Sequence, residues 1–139
     1  MSDDHLPEGR ALQFLPPDHA FIKAARDFAL EHSLDKGHPT GAVVVREGEI
    51  VAFGANGSLF HERVGCIRKM LRVPSGKAYW ICPGCWTRNH AEQKALAECR
   101  KKGIDTKGLD LYLWGHSYCC RWCWAAMEKA GVRDVYLKK

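Results

Sequence analysis

Two short clusters carry the residue types that do chemistry: His90-Ala91-Glu92, and further on Cys120-Arg121-Trp122-Cys123. Cys120 and Cys123 stand three apart at the predicted start of a helix, so their sulfurs share one face. A helix N-terminus also lowers thiol pKa and favours the thiolate that a metal needs. His90 opens a second predicted helix and offers an imidazole nitrogen. Two thiolates and one neutral imidazole make three ligands for zinc (Zn2+) and leave the fourth tetrahedral position open to water, the arrangement of a catalytic site. Glu92 need not touch the metal. It is placed to take a proton from water and pass it to a ring nitrogen and then to a departing amine. Hydrolytic attack on an amidine-like carbon with loss of ammonia is the chemistry these four residues suit. A closed structural zinc site would have no use for a carboxylate at position 92.

The elements that must position these residues are legible in outline. The chain has 139 residues, enough for one domain. Residues 1–17 read as a proline-containing arm, and residues 18–139 as a single domain. Asp18 is a predicted N-cap for a helix over about 19–32, whose Phe21, Ile22, Ala25, Phe28 and Ala29 form one apolar stripe. The runs GAVVV and EIVAFGA, joined by Arg46-Glu47-Gly48-Glu49, predict an antiparallel hairpin, the first strand deep in a sheet. His90 to Lys102 is strongly helical and stops at Gly103. LDLYLW predicts a strand, residues 121–130 a helix ending at Gly131, and VRDVYL a final strand. Helices alternating with strands imply a partly parallel sheet covered by helices.

Residues 57–89 form a long irregular, cysteine-rich and basic insertion. Six of the seven cysteines fall in two groups, and the odd total and C-x-x-C spacings point to metal thiolates in a reducing compartment. No run approaches the roughly 18 apolar residues of a membrane span, and the polar N-terminus lacks a secretory pattern. A cytoplasmic protein with no membrane partner is therefore expected. The net charge of +5 favours anionic partners, nucleotides and nucleic acid alike.

His-x-Glu followed by C-x-x-C resembles the signature of the cytidine deaminase superfamily. The resemblance extends to deoxycytidylate deaminases through Gly54-Ala55-Asn56-Gly57, Gly65-Cys66-Ile67-Arg68, Val73-Pro74-Ser75-Gly76 and His90-Ala91-Glu92-Gln93, which occur in that order. It covers roughly residues 19–137. It implies an α/β fold, a three-layer α/β/α sandwich of the cytidine deaminase type with a mixed sheet. It also implies a zinc-dependent hydrolase acting on a cytosine nucleotide, dCMP to dUMP. The alternatives are deamination of C or A in single-stranded DNA or RNA, or of a free nucleoside or base.

By the same resemblance, Asn56 lines the substrate pocket, or else serves as a turn residue before Gly57. Arg68 meets a 5′-phosphate, or is part of a solvated basic face. A second, structural zinc is held by His61, Cys66, Cys82 and Cys85, the alternative being free buried thiols. A homo-oligomer is expected. The sequence departs from the family at Cys119, where proline is usual, and in the long approach from Leu111 to Cys120. It also ends at Lys139, so the further strand and helix common in deoxycytidylate deaminases are expected to be missing. Trp114, His116, Tyr118, Trp122 and Trp124 are candidates for base contact, with the core an equal destination for Trp114 and Trp124 and a cap of the following helix the alternative for His116.

Overall fold

In the computed structural model, residues 13–34, 37–57, 70–72, 89–116, 119 and 121–138 are described. In chain order the elements are β1 (Gln13–Leu15), α1 (Ala20–His32), β2 (Gly41–Arg46), β3 (Glu49–Ala55), α2 (Ala91–Lys101), β4 (Asp110–Trp114), α3 (Arg121–Ala130) and β5 (Val135–Lys138). The strands form one sheet in the order β1-β5-β4-β2-β3. β2 pairs antiparallel with β3 and β4, whereas β4 with β5 and β5 with β1 run parallel. The sheet is mixed, as expected.

The hairpin follows from two residues. Glu47 and Gly48 both take positive φ, 51° and 80°, which suits the tight turn that joins twisted antiparallel strands. β2 is buried from Gly41 through Val45 because both its faces are covered. Ala42 and Val44 lie in a cluster with Ala91, Ala95, Leu96, Leu111, Cys123 and Trp124, the side of α2 and α3. Val43 and Val45 face Ile22 and Ala25 of α1. Helices on both faces make the three-layer α/β/α sandwich that the resemblance implied.

Two details differ from the sequence reading. The N-cap of α1 is His19, whose Nδ1 accepts from the Phe21 N–H at 3.2 Å, and not Asp18. The reason is local: His19 N–H bonds the Pro16 carbonyl at 3.0 Å, which closes a turn over Pro17 and Asp18 and moves the cap one residue on. The second difference is β1. The end of the predicted arm pairs Gln13, Phe14 and Leu15 with Tyr136, Leu137 and Lys138 as an edge strand.

α2 lies unusually close to β3. A methyl group at Gly54 would collide with the backbone of Ala91 and Ala95. Glycine here lets the first turn of α2 sit directly on the strand. Gly54→Ala is expected to lose about 1–3 kcal/mol of stability through overpacking. Chemical denaturation checks this; an unchanged midpoint would refute so tight a contact.

Candidate active site

The sheet register decides where the chemistry can assemble. Gly41, the first residue of β2, pairs with Ala55 at the end of β3 and with Trp114 at the end of β4. Both chain exits therefore lie at one edge of the sheet. The N-termini of α2 and α3 meet there.

His90 is the N-cap of α2, with extended φ and ψ of −76° and 149° and no capping hydrogen bond from its side chain. Its Nδ1 lies 3.4 Å from Sγ of Cys123, in the first turn of α3. Zinc bonds of about 2.0–2.1 Å to nitrogen and 2.3 Å to sulfur, at a tetrahedral angle, separate two donors by about 3.5 Å. The observed pair fits one edge of a zinc tetrahedron. Cys123 is fully buried, and the N-terminus of α3 favours its thiolate. The Gln93 carboxamide donates to the same sulfur from 3.9 Å, a contact that also suits a thiolate.

Glu92 sits in the first turn of α2 and is only 4% exposed. A carboxylate is favoured near a helix N-terminus, and burial keeps it out of bulk water. It is thus held close to His90 by two residues of helix and is shielded for proton transfer.

The end of β3 is tied to the start of α2. Gly57 N–H donates to the Asn89 carbonyl at 3.0 Å, and the Lys94 ammonium donates to the Gly57 carbonyl at 2.7 Å. Partial burial holds the Lys94 pKa below its ordinary value. These bonds bring Asn56, the residue before Gly57, alongside the His90 end of α2. The Asn56 side chain is itself bonded to Ser33, Thr40 and His38.

The structure therefore brings together His90, Glu92 and Cys123, with Asn56 beside them. Cys120, Arg68, His61, Cys66, Cys82, Cys85 and Tyr118 lie outside the described residues. Cys119 is buried in the same apolar cluster as Cys123. Trp124 belongs to that core, Trp114 packs half-buried on the α1 side, and Trp122 is 54% exposed. His116 pairs with His38 at this edge, with ring centroids 4.6 Å apart. Lys94 and Ser33 were missed by the sequence reading. Ser33 had a weak signal, a small polar residue just past the last turn of an apolar stripe; Lys94 had none.

The family model described as the cytidine and deoxycytidylate deaminase zinc-binding region matches residues 16–139. ComE operon protein 2 of Bacillus subtilis (strain 168) is 30% identical over 96 residues, 69% of this chain and 46% of that protein. The chain thus spans less than half the length of that relative. The dCMP deaminase from the cyanophage S-TIM5, in complex with dCMP and dUMP, superposes with a TM-score of 0.60 at 30% identity, covering 85% of this chain and 77% of that one. Guanine deaminase from Bacillus subtilis shares the fold, with a TM-score of 0.53 at 24% identity over 86% of this chain and 62% of that one.

If His90 and Cys123 hold zinc together, His90→Ala and Cys123→Ala should each weaken zinc binding by more than the roughly 10–100-fold that loss of an outer-shell partner costs. Competition with a chromophoric chelator measures this. Wild-type affinity in both variants would dismiss the pair as ligands.

Proposed function

Because the chain belongs to the cytidine and deoxycytidylate deaminase family, we propose that it is a zinc-dependent hydrolytic deaminase of a cytosine nucleotide, converting dCMP and water to dUMP and ammonia. The observation that carries this reading is the meeting of His90 Nδ1 and Cys123 Sγ at 3.4 Å beside a buried Glu92. His90, Cys120 and Cys123 would hold the metal. Zinc, when bound there, supplies Lewis-acid activation of the attacking water.

The protein's own groups do the rest. The Glu92 carboxylate takes a proton from water and delivers it to the ring nitrogen of the base. Having given that proton up, it takes the second proton from the hydroxyl now on the carbon and hands it to the exocyclic amine, which leaves as ammonia as the carbon–oxygen bond becomes the product carbonyl. Burial of Glu92 keeps these transfers out of competition with solvent. Asn56 would contact the sugar or base, and Arg68 the 5′-phosphate. Similarity to the phage protein, described in complex with dCMP and dUMP, supports a nucleotide substrate.

The reading extends to a cytoplasmic homo-oligomer and to a second, structural zinc held by His61, Cys66, Cys82 and Cys85. Such a site would fold the basic insertion around a metal. Metal analysis of pure protein is then expected to give two zinc ions per chain. One ion per chain would remove the second site.

A second reading, deamination of C or A in single-stranded nucleic acid, draws on the exposed Trp122 beside Cys123 and on the positive charge of the chain. One assay separates the two. Purified protein is incubated with dCMP, CMP, cytidine, deoxycytidine and a labelled oligonucleotide, and ammonia and base change are followed. Turnover of dCMP well above that of the others is expected; reaction of the oligonucleotide alone would overturn the nucleotide reading.

A further inference from the structure

The carboxamide of Asn56 is held from three sides. Its Oδ1 accepts from Ser33 Oγ at 2.6 Å and from the Thr40 N–H at 2.8 Å, and its Nδ2 donates to the His38 carbonyl at 2.9 Å. A backbone N–H can only donate and a carbonyl can only accept. Thr40 and His38 therefore fix which end of the amide is oxygen. Both strong acceptor directions of Oδ1 are then taken. One Nδ2 hydrogen is left without an acceptor among the described residues.

The position of this amide matters. The next residue, Gly57, is bonded to Asn89 and Lys94 at the start of the helix that carries His90 and Glu92. Toward a molecule bound there, Asn56 can act only as a donor. Ser33 is the one described side chain among the three groups that hold it. Ser33 is the fully buried C-cap of α1; its single hydroxyl hydrogen favours Oδ1 at 2.6 Å over the Asn56 carbonyl at 3.2 Å. No other described side chain bonds Oδ1. Without the hydroxyl, the half-buried Oδ1 of Asn56 loses one of its two partners and the amide is held by backbone alone.

We infer that Ser33 is a positioning residue: its hydroxyl fills the second acceptor direction of Asn56 Oδ1 and holds in place the amide that Thr40 and His38 orient, leaving Nδ2 to donate to an acceptor oxygen of the substrate, either a sugar hydroxyl or the pyrimidine carbonyl. The inference rests on the proposed cytosine-nucleotide reading and deepens it. A purely structural Ser33 would tie α1 to β3 and do nothing to the substrate.

The test uses zinc-loaded full-length protein carrying Ser33→Ala, Ser33→Cys or Asn56→Ala, and the Ser33→Ala/Asn56→Ala pair. Ser33→Cys leaves no cavity but is a poorer donor, so it should follow Ser33→Ala. Each is assayed with dCMP and with its 2′,3′-dideoxy counterpart. The Asn56 side-chain amide protons are followed by 15N NMR, assigned through their loss in Asn56→Ala. Ser33→Ala is expected to raise KM for dCMP about three- to tenfold, with a much smaller change in kcat. It should add nothing in the Asn56→Ala background, and the Asn56 amide protons should exchange faster. A KM effect that disappears with the dideoxy nucleotide assigns the acceptor to the sugar; one that persists assigns it to the base.

Full additivity of the two substitutions, or unchanged amide exchange in both Ser33 variants, would overturn the inference. Wild-type protein inert toward all cytosine compounds would instead count against the proposed reaction, and the amide exchange would then decide alone whether Ser33 holds Asn56.

Discussion

An imidazole and a thiol 33 residues apart in the chain come within 3.4 Å of each other, and most of the architecture serves that contact. Two helices must begin at the same point in space. The antiparallel pairing of β2 with both β3 and β4 achieves this, because it returns the ends of β3 and β4 to the edge where β2 starts. Both helix N-termini then bring their positive ends to the site, where thiolate and carboxylate are favoured. The same electrostatics suit both proposed roles, a metal ligand at Cys123 and an acid–base group at Glu92.

The precision of that meeting comes from packing on either side of it. Ala91 and Ala95 press on Gly54, and Trp124 and Met127 anchor α3 in the core shared with Leu96 and Leu113. Small residues bring α2 close and large ones fix α3, so the first turns of the two helices have little freedom to drift. The polar side follows the same logic. Ser33 and Thr40, buried polar residues like Glu92, both bond to Asn56 and complete the edge.

Legibility in the sequence followed the range of the interactions. The hairpin announced itself through Gly48 between β-rich runs, and α2 through a run of strong helix formers. His90, Glu92 and Cys123, proposed for the site, were visible because fixed local spacing puts them on helix starts. β1 was hidden: three residues are too few to show a period, and only pairing with the distant β5 makes them a strand. His19 displaced Asp18 as a cap because the Pro16 carbonyl claimed the intervening turn. Ser33 to Asn56 and Lys94 to Gly57 bridge 23 and 37 residues. Bonds of that span leave no local pattern, so only the folded chain reveals them.

The proposed reaction needs a metal held in part by His90 and Cys123 and a separate proton carrier at Glu92. Zinc content and turnover of Glu92→Gln, measured on the same preparation with the substrate the wild type prefers, address it most directly. Bound zinc is expected to be unchanged and kcat to fall at least about 100-fold. Turnover within a few-fold of the wild type, or loss of the metal along with the carboxylate, would contradict it.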